Sequence, residues 1–177
     1  MEVESIPIDT IGSSIEMVNE GNAKNLSIQE SKFPPGTNFQ VGGVKHELTY
    51  LAIQSYPESE GFVNPHQENE DVTEAYFPLW GAVDVSLENP KLPEGVQGPR
   101  RMATIPLEGK FTKEQVNEAL TNKHVQLITN ESEPILRIVI EGQEYRIPPI
   151  ILPPGRHHST SRSGNAEFVA LKGRKVV

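Results

Sequence analysis

The chain has 177 residues, no cysteine, fifteen prolines, fourteen glycines and a formal net charge of −8. This length suits one domain with a sizeable core, and the absence of cysteine excludes disulfides, thiolate ligands and thiol nucleophiles. The negative charge argues against nucleic-acid binding, and the sequence has neither a membrane-spanning apolar run nor a secretory signal, so we expect a soluble, cytoplasmic protein.

Residues 1–25 are polar and lack a sustained hydrophobic period, which indicates an extended N-terminal arm. The first 20 residues contain five carboxylates and no Lys or Arg. Such an arm either stays mobile or lies across a neighbouring subunit. One helical turn is expected within it, over residues 13–18, and a single folded domain is expected over residues 26–177.

Short, partly β-branched runs bounded by Pro and Gly predict a mainly β domain. Residues 48–54 have the composition of a buried strand. Residues 74–77 and 82–87 predict a hairpin around Trp80 and Gly81. The Pro-rich stretch 88–101 predicts a long loop, which begins an insertion over residues 88–134.

One helix is predicted, over residues 112–121. Thr112 can cap it, and Gln115, three residues on, can return a bond to the backbone of Thr112. An apolar stripe at helical spacing consists of Val116, Ala119 and Leu120. The helix is expected to be structural.

Five further strands are predicted, over residues 125–128, 135–140, 144–147, 150–152 and 166–171. Gly142 lies between the second and third of them, where a hairpin turn is expected. Nine or ten short strands with one short helix indicate a jelly-roll type barrel.

Two segments resemble the signature motifs of the cupin superfamily. The first runs from Gly61 to Gly81, and its final part, Glu74-x6-Gly81, matches the family pattern fully. The second, residues 153–158, matches the segment P-x-G-x2-H. The first motif departs from the pattern because Gly61 is one residue too close to the histidine, Glu68 replaces the second histidine, and Glu74 follows after five residues rather than three or four. In the second motif Arg162 replaces the final asparagine, and Gly142 lies too far upstream to open it. The resemblance implies a cupin-type jelly-roll β-barrel and a homodimer formed through the N-terminal arm.

The same resemblance implies a mononuclear metal site with His66, Glu74 and His158 as ligands. Alternate residues of a strand share a face, so Glu68 shares that of His66 and is a candidate fourth ligand or proton-transferring base. Two histidines and one carboxylate suit Fe(II), with Mn, Ni or Zn as alternatives, and leave coordination positions open. The set is similar to that of the 3-hydroxyanthranilate dioxygenase branch of the family. The competing interpretation of Glu68 is an acidic surface loop.

Three residues are candidates for catalytic roles. Glu68 would move a proton, and Tyr76, which shares the parity of Glu74, would either point into the cavity or pack in the core. Arg162 would bind an anionic substrate group through its guanidinium fork or lie at the surface. His157 has the opposite parity to His158 and is expected to be exposed.

The leading functional hypothesis is a metal-dependent cupin enzyme that acts on a small organic molecule, most simply a mononuclear non-haem Fe(II) dioxygenase. A metal-assisted isomerase, epimerase or lyase of the same class is the alternative. The rival from another class is a non-catalytic structural or binding protein, which the missing histidine and the irregular spacing favour. No nucleic-acid or membrane partner is expected.

Overall fold

The computed structural model describes residues 5–8, 15–20, 23–56, 61–67, 71–88, 101–152, 157–162 and 166–177. Fourteen strands and one helix occur among these residues. In chain order they are β1 (Ser5–Pro7), β2 (Ile15–Glu20), β3 (Ala23–Glu30), β4 (Asn38–Val41), β5 (Val44–Tyr56), β6 (Gly61–Gln67), β7 (Val72–Glu88), β8 (Arg101–Glu108), α1 (Lys113–Thr121), β9 (Val125–Ile128), β10 (Ile135–Ile140), β11 (Gln143–Ile147), β12 (Ile150–Leu152), β13 (His157–Arg162) and β14 (Ala166–Lys175).

Two four-stranded antiparallel sheets form the centre of the molecule. The first jelly-roll sheet has the order β5-β14-β7-β12 and is extended at β5 by β3, β2 and β4. The second jelly-roll sheet has the order β6-β13-β7-β8. This pairing is that of a jelly roll, the architecture to which cupins belong, so the predicted fold class is confirmed.

Strand β7 belongs to both sheets and is continuous, so the predicted hairpin around Trp80 and Gly81 is wrong. Residues 72–81 pair with β14, and residues 82–88 pair with β8. Gly81 has a φ of +74°, which glycine adopts without steric cost. The chain therefore turns at Gly81 from one sheet into the other, because each half of β7 finds its partners elsewhere in the sequence.

Both ends of β7 lie at the same end of the jelly roll. Glu74 pairs with Leu152, and Leu87 pairs with His158. A straight strand would separate Glu74 from Leu87 by about 43 Å. The six residues from Leu152 to His158 span at most about 21 Å, too little to bridge that distance. Strand β7 must therefore fold back at its corner.

The two jelly-roll sheets share one buried apolar cluster, here called the interior cluster. Its largest members from the first sheet are Tyr76, Leu152 and Phe168. The second sheet contributes Val83, Val85 and Leu107. Contact between these two sets shows that the sheets pack face to face, and it identifies the inward face of each sheet.

The opposite face of the first jelly-roll sheet is covered by a third sheet of order β1-β9-β10-β11, here called the cover sheet. Ala75, Phe77 and Leu79 alternate with Glu74 and Tyr76 along β7 and pack against this cover. The predicted strands β9 and β10 have the expected bounds. They lie in the cover sheet, however, and not in the jelly roll.

The helix α1 forms as the sequence predicts. The Thr112 hydroxyl accepts from the backbone N–H of Gln115, and the Gln115 side chain accepts from the backbone N–H of Thr112. Val116 and Ala119 are buried in the cluster beneath the cover sheet. The predicted turn at Gly142 is also confirmed, with positive φ angles of 51° at Glu141 and 79° at Gly142.

The described parts of the N-terminal arm pair with their own chain. Strand β1 pairs with β9, and Ile6 and Ile8 are buried beneath the cover sheet. Strand β2 pairs with β3, so the predicted helical turn over residues 13–18 is wrong from residue 15 onward. Local sequence missed these strands because their partners supply the stabilising contacts. No helix in the described part of the chain is long and apolar enough to cross a membrane.

A buried histidine joins the ends of β5 and β7. His46 is 1% exposed, stacks on Phe39, and places its two ring nitrogens 2.9 Å from the Val44 carbonyl and the Thr73 hydroxyl. The carbonyl can only accept, so Nδ1 donates to it and the neutral ring accepts from Thr73. Burial lowers the pKa of His46 below 6.5; the Val44 hydrogen bond opposes this shift, and the positive charge of Lys175 adds to it.

We expect this histidine to make the protein acid-sensitive. A histidine whose pKa is lower in the folded state contributes its full stability above pH 6.5 and loses it as the pH falls toward the folded pKa. Urea denaturation from pH 7 to pH 5 should show a declining free energy of unfolding. The His46→Gln variant should be less stable at pH 7 and show a shallower decline; an equal slope in both proteins contradicts this assignment.

Candidate functional site

The two predicted histidine ligands occupy paired positions in the second jelly-roll sheet. His158 lies directly opposite His66 on one side and opposite Leu87 on the other. Residues directly opposite in neighbouring strands share a face. Thr160, two residues after His158, lies opposite Val85, a member of the interior cluster. The pairing of β13 with β6 shifts register between His158 and Thr160, and the side chains of both histidines lie outside the described ones.

The predicted carboxylate ligand lies in the first jelly-roll sheet. Glu74 is 5% exposed, and its Oε1 accepts a 2.6 Å hydrogen bond from the Tyr76 hydroxyl. Tyr76 belongs to the interior cluster and packs edge-on against Phe168, with ring centroids 5.1 Å apart. Tyr76 therefore packs in the core, one of the two alternatives weighed from the sequence, and its hydroxyl also donates to the carboxylate of Glu74.

All three predicted ligand positions belong to the same end of the jelly roll. Glu74 is near the start of β7 and pairs with Leu152. His158 pairs with Leu87, which is near the end of β7. The corner of β7 brings these ends together in facing sheets, and face-to-face sheets are spaced by about 10 Å. Residues that are far apart in sequence are therefore grouped at one end of the interior.

The other predicted residues are less well placed by the structure. Glu68 lies outside the described residues. Arg162 lies opposite Gly61. It follows His158 by four residues, which on a strand separates the two residues by about 13 Å. The side chain of Arg162 lies outside the described ones. His157 lies opposite Gln67. Asp71, in the acidic stretch that follows Glu68, is exposed and forms a 3.4 Å ion pair with Arg174.

The structure adds polar residues that the sequence analysis did not single out. Lys172 lies directly opposite Glu74 in β7 and directly opposite Tyr50 in β5. These three residues form a row across the first jelly-roll sheet, here called the polar row. Gln54, four residues after Tyr50, donates a 3.1 Å hydrogen bond to the Tyr50 hydroxyl. The sequence signal that could have identified Tyr50 and Lys172 is their alternation with buried residues along β5 and β14.

The electrostatics of the polar row keep Tyr50 protonated. Burial raises the pKa of Tyr50 above 10, the Gln54 hydrogen bond and Lys172 oppose the shift, and Glu30 and Glu74 add to it. The Lys172 ammonium lies 5.4 Å from the centroid of the Tyr50 ring. Tyr50 is therefore a hydrogen-bond donor and a neutral neighbour for this cation.

The donor set is chemically suited to a divalent metal. A buried carboxylate such as Glu74 needs compensating partners, and imidazole and carboxylate are good ligands for Fe(II), Mn, Ni and Zn. Among the described side chains, no group of three His, Asp or Glu residues is arranged to hold a metal ion. Glu74 is among these described side chains, whereas those of His66 and His158 are not.

Comparison with known proteins gives structural similarity only. No family model matches the chain, and no curated protein matches it significantly. A predicted oxalate decarboxylase from Thermotoga maritima is 12% identical, with 96% of this chain and 99% of that chain covered and a TM-score of 0.46. The capsular polysaccharide assembling protein CapF from Staphylococcus aureus is 10% identical, with coverage of 93% and 29% and a TM-score of 0.38. The ycfD protein of E. coli is 12% identical, with coverage of 73% and 26% and a TM-score of 0.35.

Proposed function

We propose that this protein is a metal-dependent enzyme of the cupin class that acts on a small organic molecule. His66, Glu74 and His158 would hold one divalent ion, with Fe(II) first and Mn, Ni or Zn as alternatives. The observation that supports this most strongly is the direct pairing of His158 with His66 in neighbouring strands of the second jelly-roll sheet. Two imidazoles at adjacent positions and a buried carboxylate in the facing sheet supply nitrogen and oxygen ligands.

The reaction we propose is that of a mononuclear non-haem dioxygenase. When bound, Fe(II) would supply the one-electron chemistry that dioxygen requires and adjacent open positions for substrate and dioxygen. The chain contributes the surroundings. Tyr76 holds one oxygen of Glu74 through its 2.6 Å hydrogen bond, and the interior cluster excludes water from the floor of the site. Glu68 would orient an imidazole or move a proton.

A metal-assisted isomerase, epimerase or lyase is the second candidate. The phenol of Tyr76 beside the carboxylate of Glu74 favours it, because a hydroxyl hydrogen-bonded to a carboxylate can shuttle a proton at a carbon next to a carbonyl. In this reaction a metal polarises the carbonyl and no oxidant is consumed.

Elemental analysis after loading with each of the four metals tests the proposal. About one ion per chain is expected for a mononuclear site. Iron-loaded protein exposed to nitric oxide, a dioxygen analogue, should give an electron paramagnetic resonance signal that reports an open coordination position. Protein that retains no metal under any loading condition supports the non-catalytic alternative and ends this proposal.

The two reaction types are separated by their need for dioxygen. A panel of small organic acids and sugars is incubated with metal-loaded protein in air and under nitrogen, and the products are identified by mass spectrometry. Turnover only in air, with oxygen atoms incorporated into product, is expected for a dioxygenase. Equal turnover without air assigns the protein to the isomerase or lyase alternative.

A further inference from the structure

We propose that the free edge of strand β4 is a docking site for an extended, acidic peptide segment of a partner protein. The segment would add one strand to the first jelly-roll sheet by pairing with Asn38 and Gln40, and one of its carboxylates would bind Lys45. Three observations support this: the strand register, a groove beside β4 and the charges that line the groove. The proposal goes beyond the proposed function, because no candidate metal ligand takes part in it.

The register of the β4–β5 hairpin shows which backbone groups of β4 are already bonded. Val41 pairs with Val44 across two glycines that both have positive φ angles, as in a type I′ hairpin. The pair that closes such a turn is hydrogen-bonded, and bonded pairs then recur at every second residue. Phe39 and Thr37 therefore bond β5, in agreement with the 2.8 Å hydrogen bond that the Leu48 N–H donates to the Thr37 carbonyl.

The intervening residues, Asn38 and Gln40, direct their backbone N–H and C=O groups away from β5. Strand β5 is the only strand that pairs with β4 in the part of the chain that the structure describes. Two donors and two acceptors are thus presented at the spacing of a β-ladder. An antiparallel peptide strand can satisfy all of them, with one of its residues opposite Gln40 and another opposite Asn38.

Strand β4 lacks the protection that the other free edges have. Sheet edges are commonly blunted by proline or by charged side chains, which disfavour the addition of a further strand. The other free-edged strands of the described chain carry such a residue, except the three-residue β12, which lies between two prolines: Pro7 in β1, Glu16 in β2, Pro65 in β6, Pro106 in β8 and Glu144 in β11. Strand β4 is short, but its sequence Asn-Phe-Gln-Val has neither kind of residue.

A groove of about 160 Å³ lies between β4 and residues 129–131, which follow β9. Gln40 and Lys45 on one wall and Asn130 and Glu131 on the other are exposed, so the groove is open to solvent. Pockets that enclose a drug-sized ligand measure about 300–1,000 Å³. The smaller, open groove therefore suits a segment that lies across it and extends beyond both ends.

The charges of the groove favour an acidic segment. Glu131 forms an ion pair with Arg146, whereas exposed Lys45 has no ion pair among the described residues. Lys45 lies directly opposite Gln40, so a peptide residue on the other side of Gln40 would share a face with Lys45. These two residues would be two strand spacings apart, about 10 Å, which a lysine and a glutamate side chain can bridge.

Fluorescence anisotropy with a labelled peptide tests the docking site. The probe is the hexapeptide Thr-Val-Glu-Val-Thr-Val with blocked termini, a strand-forming sequence with one carboxylate. Gln40→Pro removes an outward N–H and keeps the bonds to β5, so binding should weaken about tenfold or more. Glu144→Pro is the matched control and should bind as wild type, because Glu144 is the corresponding outward position of the β10–β11 hairpin, beyond the closing pair of Ile140 and Gln143.

The charge contact is tested separately. Lys45→Met, or glutamine in place of the glutamate of the probe, is expected to weaken binding about two- to fivefold, the range for an exposed ion pair. The two changes together should weaken binding no more than either alone, because they remove the same contact. Lys110→Met, a substitution of an exposed lysine outside the groove, should bind as wild type.

A methylated probe keeps the test valid if Gln40→Pro does not fold. Methylation of the backbone nitrogen of its glutamate removes a hydrogen bond to β4 while the protein stays wild type, and it should abolish binding. No binding of the unmodified probe at up to about 1 mM, the affinity that about four backbone hydrogen bonds supply, overturns the proposal. Binding that both the methylated probe and Gln40→Pro leave unchanged also overturns it.

Sedimentation velocity of the protein alone identifies the alternative occupant, a second copy of the chain. A concentration-dependent dimer that Gln40→Pro abolishes would assign the β4 edge to self-association and overturn docking of a partner peptide. A monomer that binds the probe supports the proposal. These readouts are independent of metal content, so their failure leaves the proposed metal site untouched, and failure of the metal site leaves the docking site untouched.

Discussion

The His158→Ala variant is expected to lose its metal, whereas the His157→Ala variant is expected to keep it. His158 is paired with His66, the other proposed histidine ligand, whereas His157 is paired with Gln67, and neighbouring residues of a strand alternate between its two faces. Loss of a residue that merely supports a ligand costs 10- to 100-fold in metal affinity, so loss of a ligand should cost at least about 100-fold. Metal content after dialysis against a weak chelator measures the difference.

This comparison uses two adjacent histidines on the same strand, so the residue type and the strand are matched. The His66→Ala variant should reproduce the loss seen in His158→Ala, because both histidines are proposed to hold the same ion. Equal metal content in the His157 and His158 variants would contradict the proposal that His158 is a metal ligand. The pairing of His158 with His66 would then no longer support the site. Far-ultraviolet circular dichroism verifies that each variant is folded.

The Gly109→Ala variant is expected to lose about 3 kcal/mol of unfolding free energy. A Cβ atom at Gly109 would overlap the backbone nitrogen of Trp80 and the carbonyl group of Leu79. The backbone has little freedom to yield, since Gly109 donates a 2.9 Å hydrogen bond to Gly81 and Phe111 donates a 3.2 Å bond to Leu79. The overlap would therefore displace the backbone at the corner of β7, where the strand passes from the first jelly-roll sheet into the second.

Gly142→Ala is the matched control for this substitution. Gly142 has a φ of +79° but open space around its Cβ position. It should lose only the cost of a left-handed alanine, about 1–2 kcal/mol. Urea denaturation of both variants gives the comparison. A Gly109 variant as stable as the Gly142 variant would mean that the corner tolerates a side chain. The close approach of Gly109 to Leu79 and Trp80 would then be contradicted.

The sequence by itself determined the local elements and the chemistry of the candidate ligands. The capping residues Thr112 and Gln115 predicted the start of the helix, because a capping box depends on residues three apart. Alternation and flanking turn residues predicted strands β9, β10 and β12 within the bounds observed. The motif resemblance identified His66, Glu74 and His158 as candidate ligands. Their suitability for a divalent metal follows from the chemistry of imidazole and carboxylate.

Only the tertiary structure decided how these pieces meet. Strand β7 continues through Gly81 because β14 and β8, both distant in sequence, pair with its two halves. Lys172 becomes the neighbour of Glu74, and Tyr50 the neighbour of Lys172, through strand register alone. Alternation in a sequence divides a strand into two faces, but which face is inward depends on which sheet packs against it. That choice is made by long-range contacts between strands that are distant in sequence.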